Sequence, residues 1–110
     1  MYTRLLGEMY VPFNEQGILD VNAGIDSDNQ KSVDLTEEEI KILLHKGLSE
    51  KIADVCECYI DECEEARFYP DACRKTLDFL KSASYADKVP NLVYMLKLAI
   101  QYNTFLDVCC

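Results

Sequence analysis

Carboxylates are the most abundant reactive side chains of this chain, and their spacing first suggests a task. Glu50, Asp54, Glu57, Asp61 and Glu64 step by four, three, four and three residues, which on a helix places all five along one stripe. Ile52, Cys56, Tyr59, Cys63 and Ala66 repeat those steps two residues later, so an apolar seam is expected on the opposite side. Glu62 and Glu65 widen the acidic side. Like charges at this spacing cost on the order of 0.2–0.5 kcal/mol per pair, and no Lys or Arg lies between Ile52 and Ala66 to relieve them. A merely solvated face mixes its signs, so the stripe reads as a recognition surface for something basic, with solubility charge as the plainer alternative. Phe68 and Tyr69 follow it and are the expected aromatic anchors, the alternative being burial at the helix end.

Other reactive residues offer less. Six cysteines in 110 residues raise a disulfide framework. Cys56, Cys63 and Cys73 instead fall on helical apolar faces beside Ile52, Tyr59 and Leu77, where a free thiol packs as a small hydrophobe. Cys58, Cys109 and Cys110 read as exposed, incidental thiols. With His45 as the single imidazole, Cys56-x-Cys58 and Cys109-Cys110 make a poor zinc set, and no metal or other cofactor is expected. Residues 26–37, Asp26 to Glu37, place acids at positions 1, 3, 9 and 12 of a calcium loop. Lys31 stands where that loop needs glycine, so weak calcium binding is kept only as an alternative. Neither a Ser–His–Asp set nor a glycine-rich phosphate loop occurs, and the expectation is a non-enzyme.

The elements that must hold the stripe are predicted as follows. Met9 to Phe13 is β-branched and aromatic, Asn14 to Gly17 carries turn chemistry, and Ile18 to Val21 can return antiparallel, which predicts a hairpin. A short helix from Tyr2 to Tyr10 stopped by Pro12 competes with it. Asn22 to Ser32 reads as a polar loop. Thr36-Glu37-Glu38-Glu39 is a capping box that starts a helix, and Gly47 predicts a break. A second helix is expected from about Ser49 to Phe68, a third capped by Asp71, and a fourth capped by Asp87 with Pro90 in its first turn. The fourth, over 89–107, is apolar around most of its circumference, so it is either central or half of a homodimer seam.

The fold expectation is therefore mainly α, one domain over 1–110. A compact bundle of about four helices occupies 34–110, and 1–33 is an irregular or hairpin-and-loop part; an α+β fold is the alternative. At 49% hydrophobic with 4 Gly and 3 Pro, the chain is expected to bury a core.

Its net charge is −9, and residues 34–65 carry eleven acids against three lysines, so nearly all the imbalance lies there. Such a surface repels a phosphate backbone and anionic lipid, which argues against direct nucleic-acid or membrane binding. The first eight residues lack a secretory pattern, so a cytoplasmic location is expected. The function expected is a small acidic binding domain for a basic protein, in the concrete form of an inhibitor, antitoxin or immunity-type protein that neutralises a nuclease-like toxin. In charge, size and class this is similar to the small acidic helical immunity proteins of nuclease bacteriocins, whose sequence signatures the chain does not carry. A homodimeric structural protein is the alternative.

Overall fold

A computed structural model of the chain describes residues 7–56, 60 and 65–109. The first described element is a strand, β1 (Glu8–Pro12), whose Met9 and Val11 are fully buried while Glu8 and Tyr10 are half-exposed. Instead of turning back as a strand, the chain enters a helix, α1 (Glu15–Ala23). Asn14 is extended and its side chain accepts the Gly17 N–H at 2.8 Å, leaving one fewer orphan amide. Gly24, at φ 70°, ends the helix in the left-handed conformation that glycine adopts freely. Gly17 has no room for a side chain: a methyl there would lie 2.1 Å from the Asn29 carbonyl oxygen. This close approach lets α1 rest against β1 and the next strand, β2 (Gln30–Asp34), which pairs antiparallel with β1.

Thr36 then opens α2 (Glu37–Ile40) with both capping-box bonds in place. The helix widens into one π turn, Lys41–His45, in which the Lys46 N–H reaches back five residues to Lys41. Gly47, at φ 78°, separates it from α3 (Leu48–Cys56). A short strand, β3 (Glu65–Phe68), leads to α4 (Pro70–Ser82) and α5 (Pro90–Gln101), each with proline at its first position, where no amide is lost. The last described element is β4 (Leu106–Cys109).

The four strands form one antiparallel sheet in the order β2-β1-β4-β3. Met9, Val11, Ala66, Phe68, Leu106 and Val108 are buried on one face, which α4 and α5 cover, and α3 packs on α4. On the opposite face Arg67 and Asp107 are register partners joined by an ion pair at 3.5 Å. Asn22 of α1 accepts a hydrogen bond from Arg67 at 2.8 Å. Leu92, Met95, Leu96 and Ala99 of α5 are fully buried, and each of the larger three contributes about 1.5–3 kcal/mol by leaving water. The α5 helix is thus central, packed on α4 and on three strands.

One carboxylate ties the two halves together. Glu39 is fully buried; one of its oxygens accepts the Thr36 N–H at 3.0 Å and the other accepts the N–H groups of Asn91 and Leu92, both at 3.0 Å. It therefore caps its own helix and the start of α5, 52 residues away. The Asn91 side chain adds a bond to the Asp34 carbonyl at 2.9 Å.

This architecture corrects the helical-bundle expectation: the molecule is α+β, with five α-helices and a four-stranded antiparallel sheet among the described residues. The predicted return strand at Ile18–Val21 lies in helix α1, and strand β2 begins inside the predicted Asn22–Ser32 loop and runs past it to Asp34. A helix over Tyr2–Tyr10 is excluded where described, since Glu8–Tyr10 is strand. The helix expected from Ser49 to Phe68 is described over Leu48–Cys56, and Glu65–Phe68 is strand because Ala66 and Phe68 point to the core at period two. The 89–107 helix stops at Gln101. Asp71 does not cap α4; Tyr69 holds the cap position, and Asp71 pairs with Arg74 at 3.0 Å. Asp87 does not cap α5 because Glu39 occupies that role.

Candidate partner-binding site

The site expected from sequence is an acidic face with two aromatic anchors, and α3 builds its first part. Leu48 and Ile52 are buried one turn apart, with Cys56 half-buried a turn further on. This leaves Glu50 and Asp54 exposed on the solvent side, also one turn apart. Glu37 and Glu38, in the first turn of α2, are exposed as well. The next three acids of the stripe, Glu57, Asp61 and Glu64, lie outside the described residues, as does Glu62. Glu65, expected to widen the acidic side, begins β3, opposite Cys109 in register.

The two expected anchors separate. Phe68 is fully buried and belongs to the core cluster, which removes it from any partner's reach. Tyr69 is 59% exposed and meets the edge of Phe105 at a ring separation of 6.0 Å. The Arg67 guanidinium stacks on Phe105 at 4.0 Å, a favourable cation–π arrangement. Tyr69 does not join the α3 acids, however. Lys51 of α3 touches Tyr85, beyond the end of α4, whereas Tyr69 precedes its start. The length of α4, roughly 20 Å at 1.5 Å per residue, lies between them.

Charge neutralisation is sparse. Among the described residues the ion pairs are Arg67–Asp107 and Arg74–Asp71, so Glu37, Glu38, Glu50 and Asp54 stand without a cationic partner there. Lys51, the base nearest in sequence to Glu50 and Asp54, donates instead to the Tyr85 hydroxyl at 3.2 Å. Among described carboxylates, Asp20 has a clearly shifted titration: hydrogen bonds from Ser27 first, then Gln16 and Asn29, hold its carboxyl below the ordinary value against some desolvation. It is nearly buried and orders the turn leading into β2 rather than the acidic face.

For the remaining expectations, Cys73 is buried and donates to the Phe68 carbonyl, and Cys56 is a half-buried free thiol beside the Thr76 hydroxyl. Cys58, Cys63 and Cys110 lie outside the described residues, and Cys109 lies in β4. The calcium-loop pattern is split by geometry, since its positions 5 to 9 are strand β2. Among the described residues no three His, Cys, Asp or Glu side chains converge as metal ligands, and no helix is long and apolar enough to cross a membrane.

Sequence reasoning missed several exposed apolar side chains: Leu19 at 62%, Ile25 at 54%, Tyr94 at 48% and Tyr102 at 44%. Tyr102 stacks on Phe13 with ring centres 4.6 Å apart. Only the helical phase of Tyr94, opposite Leu92 and Leu96, gave a signal in advance. Comparison with protein-family models, with curated proteins and with solved structures finds no match to this chain.

Proposed function

We propose that the chain is a non-enzymatic protein-binding domain whose partner presents a basic surface, in the form of an inhibitor that covers the anion-binding site of a nuclease-like toxin. The observation that carries this reading is the unneutralised acid of residues 34–56. Glu37, Glu38, Glu50 and Asp54 are exposed and free of ion pairs among the described residues, and the longer segment 34–65 to which they belong carries eleven acids against three lysines. Exposed charges remain hydrated, so displaying them costs the fold little, and a single-sign field raises the encounter rate with an oppositely charged surface. The frame beneath them is set by Glu39, which locks α2 to α5, and a face held in place in advance loses less entropy on binding.

The test begins with a pull-down from the native host and a measurement of association rate with the protein recovered. In the variant E50K/D54K/E57K/D61K/E64K, association is expected to slow by at least about tenfold at low ionic strength, with the difference shrinking near 0.5 M salt. An unchanged rate at low salt with every recovered partner reduces the acidic face to solvated surface and ends the proposal.

A further inference from the structure

A cleft of about 500 Å³ opens between the π turn and the α4–α5 connection, lined by Glu38, Ile42, Lys46, Tyr85, Asp87 and Lys88. Its size is within the range of small-molecule sites. Both of its walls depart from regular backbone. Ile42 sits in the π turn, and Tyr85 follows Ser84, a non-glycine residue at φ 63°; such departures gather at functional sites. Three lysines also gather at the cleft, beside the carboxylates Glu38 and Asp87 of its lining. The ammonium groups of Lys51 and Lys88 each lie 5.5 Å from the centre of the Tyr85 ring, and Lys46 forms the facing wall. None of these three lysines forms an ion pair with a described carboxylate.

We propose that the Tyr85 cleft binds a small phosphate monoester carried on a hydroxylated ring, a sugar phosphate or a mononucleotide. Lys46 and Lys88 supply the charge that holds the phosphate. The Tyr85 hydroxyl accepts from Lys51, which leaves its own O–H to donate to a phosphate oxygen. Glu38 and Asp87 repel a bare anion but accept from hydroxyl or amino groups, so they favour an anion with such donors over free phosphate. The aromatic face of Tyr85 suits the ring. The cleft shares Glu38 with the partner-facing acids, but its test needs no partner protein, so either reading can fail alone.

Calorimetry with AMP, ribose 5-phosphate, adenosine and inorganic phosphate tests it, with amide NMR shifts locating the site. Saturable binding of at least one ester is expected, perturbing residues 42–46 and 85–88, with inorganic phosphate and adenosine each at least about tenfold weaker. K46Q/K88Q is expected to lose about tenfold or more and Y85F a few-fold, because charge-assisted bonds outweigh neutral ones. K31Q/K97Q, at exposed lysines outside the cleft, is expected to bind as the parent does. All these positions are exposed or keep their shape, and thermal melts confirm folding. Which ester binds more tightly tells nucleotide from sugar phosphate. The proposal is overturned if no ester binds below about 10 mM, if inorganic phosphate binds as tightly as the esters, or if K31Q/K97Q weakens binding as much as K46Q/K88Q.

Discussion

At the α2–α5 junction and on the outer side of α3, the same chemical group does opposite things. Glu39 is fully buried and its carboxylate is saturated by three backbone amides. Glu50 and Asp54 are exposed and bonded to nothing described in the protein. A buried charge is tolerable only where fixed donors replace its water, and here two helix N-termini do so, each presenting amides with positive partial charge. The exposed pair needs no such replacement. Net charge is therefore a poor guide to role, because Glu39 adds as much to the total of −9 as Glu50 does and yet acts as a structural fastener.

Removing the fastener should give the largest effect. Glu39→Ala leaves three amides without their acceptor, one of them, Leu92, fully buried, and about 3–4 kcal/mol of stability should be lost in urea titration. Glu39→Gln keeps the shape but turns an NH₂ toward donors, so about 2 kcal/mol is expected. A loss under about 0.5 kcal/mol for both would erase the contrast between junction and surface.

Thr36→Ala deletes one half of the capping box while leaving Glu39 in place. About 1 kcal/mol should go, which would place the weight of the junction on the carboxylate rather than on the hydroxyl.

Asp20 gives an intermediate case, a nearly buried carboxylate held by side chains rather than by helix ends. Its folded pKa lies below the unfolded one, so its contribution is complete above the unfolded value and is lost as pH falls through the folded value. Asp20→Asn should remove that portion of the acid-side slope, seen in denaturant midpoints between about pH 5 and pH 2. An unaltered slope would show that these hydrogen bonds do not persist in solution.

The smallest effect on stability belongs to the surface. Glu50→Lys with Asp54→Lys should move the unfolding free energy by less than about 0.5 kcal/mol, measured beside the Glu39 variants. A loss comparable to Glu39→Gln would show that α3 acids also fasten the fold.

What could be read in advance divides along the same line. Local devices were legible: the capping box at Thr36, the break at Gly47, the proline in the first turn of α5, and the β-type run Met9–Phe13, with which a helix over Tyr2–Tyr10 competed; the apolar surround of α5 fitted a central place and a homodimer seam alike, and Pro70 read as the end of one helix rather than the opening of the next. Pairing at a distance was not. Ala66 and Phe68 satisfy both a helical seam and a period-two strand, and four residues are too few to choose between them without their partners Val108 and Leu106. Strand β2, Gln30–Asp34, is polar at most positions because it is an edge whose outer residues meet water. The Glu39 contact was invisible because nothing local marks Asn91 and Leu92 as its partners. For the site, exposure of Glu50 and Asp54 was legible from helical phase, whereas the burial of Phe68 depends on its place in the sheet.

The strand order carries a consequence for how the chain is made. β1 and β3 never touch; β4 stands between them, with Val108 opposite both Met9 and Ala66. On the ribosome, β1 and β2 emerge early and can pair, while the core-facing side chains of β3 have no neighbouring strand until residues 106–109 leave the exit tunnel. Closing the sheet then joins positions about one hundred residues apart, the long-range kind of pairing that slows folding. A nascent chain stalled before Leu106 is expected to present two unsatisfied strand edges to chaperones, and emergence of residues 106–109 is the step that removes both at once.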